Sequence, residues 1–178
     1  MNAMCVVTAR CNVDVQSWSK TYPMPDCSKG EAPRLGYVKL NGTVILNAPS
    51  CTSTSPGADH IRGTHIQLID PFACTKIESR QFDTYASEDE AANLTDYLDQ
   101  LDKFSVIVGS MVDEASNSLS NAYDGLLRVG IDLRDLGWKG SFAFVAQKSA
   151  KKTVLNKSIT ATISSKNQAH VNAIITGM

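Results

Sequence analysis

Long apolar runs are missing from this chain. Nothing approaches the roughly 20 consecutive residues that a membrane-spanning helix needs, so no insertion into a membrane is expected. Met1 to Arg10 also lacks a basic segment followed by an apolar stretch, so an intact signal peptide is not expected there; a mature chain would have lost its own. An excess of charge of one sign is missing too. The formal net charge is -1, which leaves no basic surface of the kind that nucleic acid or anionic lipid requires. The cluster Lys148, Lys151 and Lys152 is too short to change this and reads as a solvated loop.

Catalytic signatures are absent in the same way. There is no Gly-x-Ser-x-Gly elbow, no phosphate-binding glycine loop and no His-Glu-x-x-His. His60, His65 and His170 stand isolated in the sequence, and His65 falls on the polar side of its strand, where a solvent-facing or hydrogen-bonded ring is expected. Asp113-Glu114 offers two carboxylates, as glycoside hydrolysis would need. Neighbours on a strand point to opposite faces, however, so these two would not easily flank one bond. The cysteine spacings fit neither paired knuckles nor a zinc ribbon. Asp70, Asp83 and Asp113 sit in no loop with calcium-ligand spacing. The expectation is a protein that is not an enzyme, with no cofactor and no metal.

What is present suits a single folded domain. The chain has 178 residues, of which 43% are hydrophobic and 20% charged, enough to bury a core and unlike a disordered composition. All five cysteines, Cys5, Cys11, Cys27, Cys51 and Cys74, precede the second half. Two disulfides tying a loop-rich N-terminal segment to the body are expected, with an odd thiol that is either free or joins two chains into a homo-oligomer. Asn41-Gly42-Thr43, Asn93-Leu94-Thr95 and Asn156-Lys157-Ser158 match the N-glycosylation pattern and add support for secretion.

Residues 1 to 34 read as irregular, because Pro23, Pro25, Gly30 and Pro33 interrupt any period. Regularity is expected from residue 35. Tyr37 and Leu40, then Val44, Ile45 and Leu46, flank Asn41-Gly42, a strong hairpin turn. Thr64 to Asp70 alternates as a half-buried strand, and Lys76 to Tyr85 returns beside it. Ser87-Glu88-Asp89-Glu90 is a capping box that opens a helix with Ala91, Leu94, Leu98 and Leu101 on one face. Phe104 to Met111 reads as a strand buried on both faces. A second helix from Ala115 buries Leu119, Ala122, Leu126 and Leu127 and stops at Gly130. Ser141 to Gln147 and two further strands complete the chain. More strands than helices, in adjacent hairpins, make this mixed α and β rather than a doubly wound parallel sheet.

The stretch from Arg80 to Lys148 places polar side chains at strand ends. A carbohydrate offers hydroxyls and an apolar C–H face, and proteins answer with carboxylates, cationic donors and an aromatic ring. Asp113 supplies an acceptor, Arg80 and Lys139 donors, and Trp138 a stacking face. Each has an ordinary alternative: Trp138 in the core or at a hinge, Lys139 a solvated turn cation, and Arg80 the partner of a surface carboxylate such as Asp83.

The block Gly63-Thr64-His65-Ile66, the run Arg80-Gln81-Phe82-Asp83-Thr84-Tyr85, Val112-Asp113-Glu114-Ala115-Ser116, the Leu126-Leu127 helix ending at Gly130, and Leu136-Gly137-Trp138 before Phe142-Ala143-Phe144-Val145 together resemble the ILEI/PANDER-like domain, also called the GG domain. The wording is most similar to the glycan-binding stem domain of protein O-mannose N-acetylglucosaminyltransferase. The resemblance implies an α+β fold, a sandwich of two mainly antiparallel sheets lined by short helices. Residues 35–178 would then form the carbohydrate-binding domain, with the cysteine-containing segment 1–34 packed on it. It also implies that Arg80, Asp113 and Lys139 hold the sugar, with Lys139 replacing the family's planar arginine fork by a point charge. The implied protein is a secreted, extracellular lectin binding glycans or glycoproteins that end in galactose or N-acetylhexosamine. The other reading is a cytokine-like signal acting through protein contacts.

Overall fold

Side-chain alternation at period two builds most of this molecule. The structure, a computed structural model, describes residues 10–19, 36–48, 62–138, 140–148, 160–164 and 169–176. Among them are nine strands: β1 (Arg10–Ser19), β2 (Gly36–Leu40), β3 (Thr43–Ala48), β4 (Gly63–Asp70), β5 (Thr75–Phe82), β6 (Val106–Asp113), β7 (Ser141–Gln147), β8 (Thr160–Ser164) and β9 (Ala169–Thr176). The first sheet is ordered β9-β1-β2-β3 and the second β5-β4-β6-β7-β8, antiparallel throughout. A short parallel bridge, Trp18 with Val112 and Ser19 with Asp113, joins them. With helices against the second sheet, the α+β sandwich expected from the sequence is the fold observed. No helix among the described residues is long and apolar enough to cross a membrane.

Two apolar layers hold the sandwich. Cys11, Val13 and Val15 of β1 meet Val38 and Leu40 of β2, and Ile69, Val106, Val108 and Val145 from the second sheet, between the sheets. On the other face of the second sheet, Ile66, Ile107, Met111, Phe142 and Phe144 pack against α1 (Glu88–Gln100), a 3₁₀ turn (Leu119–Ala122) and α2 (Tyr123–Arg128). Burying a Leu or Phe side chain fully contributes about 1.5–3 kcal/mol. The central position of β6 between these layers explains why Val106, Ile107 and Val108 are apolar in succession and buried on both faces.

Three expectations need correction. The irregular reading of residues 1–34 fails over its described part, because Arg10–Ser19 is a central strand with Cys11, Val13, Val15 and Ser17 buried in alternation. β4 is buried on both faces rather than one; Thr64, His65 and Gln67 all lie inside, so His65 is not solvent-facing. The second helix does not run from Ala115: a 3₁₀ turn opens at Leu119 and α2 only at Tyr123, and Leu127 is 45% exposed, not part of the core.

The local signals otherwise appear as read. Asn41 and Gly42 take φ of 46° and 82° in the β2–β3 turn. Ser87 Oγ accepts the Glu90 amide at 3.2 Å. At the end of α2, Ile131 N–H donates to Leu126 O and Gly130 N–H to Leu127 O, both at 2.9 Å, the double bond pattern of a left-handed cap. Cys11 and Cys74 form a disulfide that ties β1 to the β4–β5 turn. Cys5, Cys27 and Cys51 lie outside the described residues.

β7 pairs with β6 only as far as Ser110 opposite Ala143, and β1 takes over the same edge at Val112. Between them Ser17 fills the gap. Its hydroxyl accepts the Met111 amide at 3.0 Å and donates to the Met111 carbonyl at 2.8 Å, replacing a ladder partner.

Candidate functional site

The start of β4, the end of β5 and the end of β6 meet at one corner of the second sheet. Gly63 opens β4 with φ of 110°, and a Cβ there would lie 2.2 Å from the Phe82 carbonyl oxygen. Only glycine lets the chain pass this close, and that passage sets Arg62 against the turn after β5. Arg62 Nε and Nη2 donate to the two oxygens of Asp83 at 3.1 and 2.7 Å, a bidentate pair. The same guanidinium lies over the Tyr85 ring, 4.8 Å from its centroid. Partial burial acts to raise the Asp83 pKa, but the Arg62 bonds and the amides of Ala86 and Tyr85 outweigh it, so the carboxyl is held below its ordinary value.

The remaining residues of these blocks lock the corner from inside. Thr84 is buried; its hydroxyl donates to Ala115 O at 3.0 Å and lies 2.9 Å from Thr64 Oγ1. With its one proton so used, Thr84 accepts from Thr64. The Thr84 carbonyl accepts the Ser118 amide at 2.8 Å. Glu114 is buried, and one of its oxygens accepts from Ala115 N, Ser116 N and Ser116 Oγ at 3.0, 2.9 and 2.6 Å. Asn117 Nδ2 donates to the Tyr85 carbonyl at 2.9 Å. Phe82-Asp83-Thr84-Tyr85 and Glu114-Ala115-Ser116 are therefore two halves of one clasp.

The residues singled out in the sequence are not all drawn together. Asp113 ends β6; its side chain and the whole of Lys139 lie outside the described residues. Arg80 sits on β5 opposite Ile66, which is opposite Gly109. It is thus two strands across and four residues along from Asp113, roughly 16 Å between backbones by ordinary strand spacings. Its charge partner is Glu78 rather than Asp83, and it lies 5.7 Å from the Tyr97 ring centroid. Tyr97 donates to Glu78 at 3.2 Å, and burial, reinforced by Glu78, pushes its pKa up to about 12. Trp138 is 71% exposed on the loop before β7, so it is not a core residue.

Among the described residues, a cation not singled out in the sequence, Arg62, stands level with Asp113 in the β4–β6 ladder. The register pairing Gly63 with Val112 brings residue 62 level with residue 113 one step further on. The signal was present: Arg62 immediately precedes the glycine that begins the first matching block.

Two other groups of polar residues have ordinary partners. Asp70 accepts the amides of Phe72 and Ala73 at 2.8 and 3.0 Å, closing the β4–β5 turn. His170 is not isolated in space: its Nε2 is 2.6 Å from Asp14 on the outer face of the first sheet.

No curated protein matches the chain significantly. A family model, that of the Interleukin-like EMT inducer, matches residues 62–150, from the arginine of this corner to the end of β7 and just beyond. That segment is half of the chain and contains β4 through β7, both helices and the whole clasp. The chain belongs to the Interleukin-like EMT inducer (ILEI) family.

Proposed function

We propose that this protein is a secreted, lectin-like binder of glycans that end in galactose or N-acetylhexosamine, and that it works without catalysis. The site is the corner at Asp113, with Trp138 as stacking face, Lys139 as donor, and Arg62 as the cation on the β4 side. Arg80, two strands across and four residues along from Asp113, stands too far off to hold the same sugar from its place beside Glu78 and Tyr97. The observation that carries the reading is Arg62, clamped by Asp83 over Tyr85 and level with Asp113 at a rigid strand end. Donors held in place before the ligand arrives lose little freedom on binding. A disulfide suits an oxidising, extracellular setting. The similarity of wording to the transferase stem domain points to sugar as the ligand.

Catalysis is left out because two carboxylates of this corner, Asp83 and Glu114, are committed, and the third, Asp113, is proposed to hold the sugar. Asp83 serves Arg62, and Glu114 serves its own turn. Binding at one shallow site would be weak, and avidity would come from several copies. A glycan array with the purified protein tests the reading. Binding to terminal galactose, N-acetylglucosamine or N-acetylgalactosamine is expected, lost in Asp113→Ala with the thermal midpoint nearly unchanged. Silence across all three sugar classes overturns it.

A cytokine-like role through protein contacts has an observation of its own. Phe72, Ile77 and Phe104 are 61%, 62% and 60% exposed, and the β4–β6 register brings residue 104 level with residue 71 at the far end of the same sheet. Exposed apolar clusters mark contact surfaces. Under this reading, binding to cells survives Asp113→Ala and enzymatic removal of surface glycans, and is lost in Phe72→Ser/Phe104→Ser. The reverse pattern excludes it.

A further inference from the structure

The β2–β3 hairpin ends in Asn41-Gly42-Thr43, and all three residues are exposed. The turn is clamped to β1 at two points. Asn41 N–H donates to Asn12 O at 2.8 Å, and Asn41 Oδ1 accepts the Asn12 amide at 2.9 Å. The second bond fixes the plane of the side-chain amide. Its oxygen is turned toward β1, so its nitrogen is turned away, and among the described residues Nδ2 makes no hydrogen bond. Beyond it the tip is open among the described residues: a Cβ built on Gly42 meets nothing within 4 Å.

We infer that Asn41 is an N-glycosylation site whose glycan stands out from the tip of this hairpin, an inference that rests on the secreted reading above. The acceptor nitrogen is the atom that the fold leaves outward. In the transfer, Asn41 Nδ2 forms a C–N bond to the anomeric carbon of an oligosaccharide carried on a lipid pyrophosphate. The anomeric C–O bond breaks, the pyrophosphate leaves with its electron pair, and the amide gives one proton to the transferase. The product keeps Oδ1 as a carbonyl acceptor, so the Asn12 bond that aims the side chain survives the modification. Exposed Val44 at the start of β3, 40% accessible, comes under the shelter of the attached sugar.

The other described triplet differs in each respect. Asn93-Leu94-Thr95 lies inside α1, Leu94 is buried, the Thr95 hydroxyl is buried without a partner, and Asn93 Nδ2 is engaged by Glu90 at 3.2 Å. Asn156 lies outside the described residues.

The test is expression of the full chain behind a cleavable secretion signal in a eukaryotic cell line, with intact mass and peptide mapping after amidase release of N-glycans. Glycan on Asn41 in most secreted molecules is expected, and it should vanish in both Thr43→Val and Asn41→Asp. The aspartate retains the Oδ1 acceptor, so this variant should also keep its thermal midpoint, which separates loss of the glycan from loss of the clamp. Secreted protein with Asn41 unmodified overturns the inference. Because the signal is appended, that outcome does not depend on whether the native chain is exported, and native protein found only inside cells would instead count against the secreted reading.

Discussion

At Asp83 two opposing effects act on one carboxyl. Partial burial favours the neutral acid, while Arg62 and two amides favour the anion and prevail. The folded pKa is therefore below the ordinary value of 3.8, and the sign of the pH effect follows. The contribution to stability is complete above about pH 4 and is lost as pH falls through the folded value. Asp83→Asn should cost about 1 kcal/mol at neutral pH, since the pair is partly solvated. It should also flatten the acid limb of the stability curve, as urea midpoints between pH 7 and pH 3 would report. A variant that parallels the wild type all the way down would rule out this role for the pair. The single residues of the corner were only partly legible. Asp83 and Thr84 stood in a motif, but choosing Arg62 over Arg80 depends on which of the two lies level with residue 113. That is fixed by the register of β4 against β6 and is absent from any local pattern.

Among the elements, α1 shows a boundary that the sequence disguised. Its start was plain, with Ser87 as cap and Glu88, Asp89 and Glu90 in the first turn, favourable to the positive end of the helix dipole. Its last turn holds no basic residue, and the cation arrives from the residue that follows β7 instead. Lys148 Nζ donates to the carbonyls of Leu98, Asp99 and Leu101. This lysine, which reads as one of a solvated cluster, is a remote cap of α1. Lys148→Met keeps the aliphatic stem and removes the donor. It should destabilise by about 1.5–3 kcal/mol and speed hydrogen exchange in the last turn of α1, whereas Lys148→Arg should recover most of the loss. An unchanged denaturation midpoint in the methionine variant would show that the cap is dispensable. β1 was hidden for another reason. Cys11, Val13 and Val15 alternate with polar residues as a strand should, but the breakers Pro23, Pro25 and Gly30 that follow mask that short period within the segment. The period of β4 marks a strand but not its depth, since burial of His65 and Gln67 depends on distant parts of the chain.

At the scale of the whole molecule, the described residues form two sheets and a helical layer, and a disulfide runs between the sheets. Cys11 and Cys74 are 63 residues apart in sequence. Closing a loop of that size in the unfolded chain corresponds to about 4 kcal/mol in the chain-entropy account. Cys11→Ser/Cys74→Ser, or reduction in mild denaturant, should lower stability by a large part of that amount, read as a fall in the thermal midpoint. A fall of less than a degree would assign the disulfide another purpose. At this scale the sequence was most informative: eight of the nine described strands, their antiparallel pairing and the helical lining follow from periodicity and family resemblance together, and only β1 does not. The order of strands across the join did not, because it turns on one serine. Ser17 stands where β6 leaves β7 for β1. The segment common to the family, residues 62–150, is therefore not a self-sufficient piece of this protein. Cut free, it would leave β6 with a bare edge beyond Ser110 and turn Ile69, Val106, Val108 and Val145 toward water. The flanking strands, which the family model does not reach, are what seal the molecule.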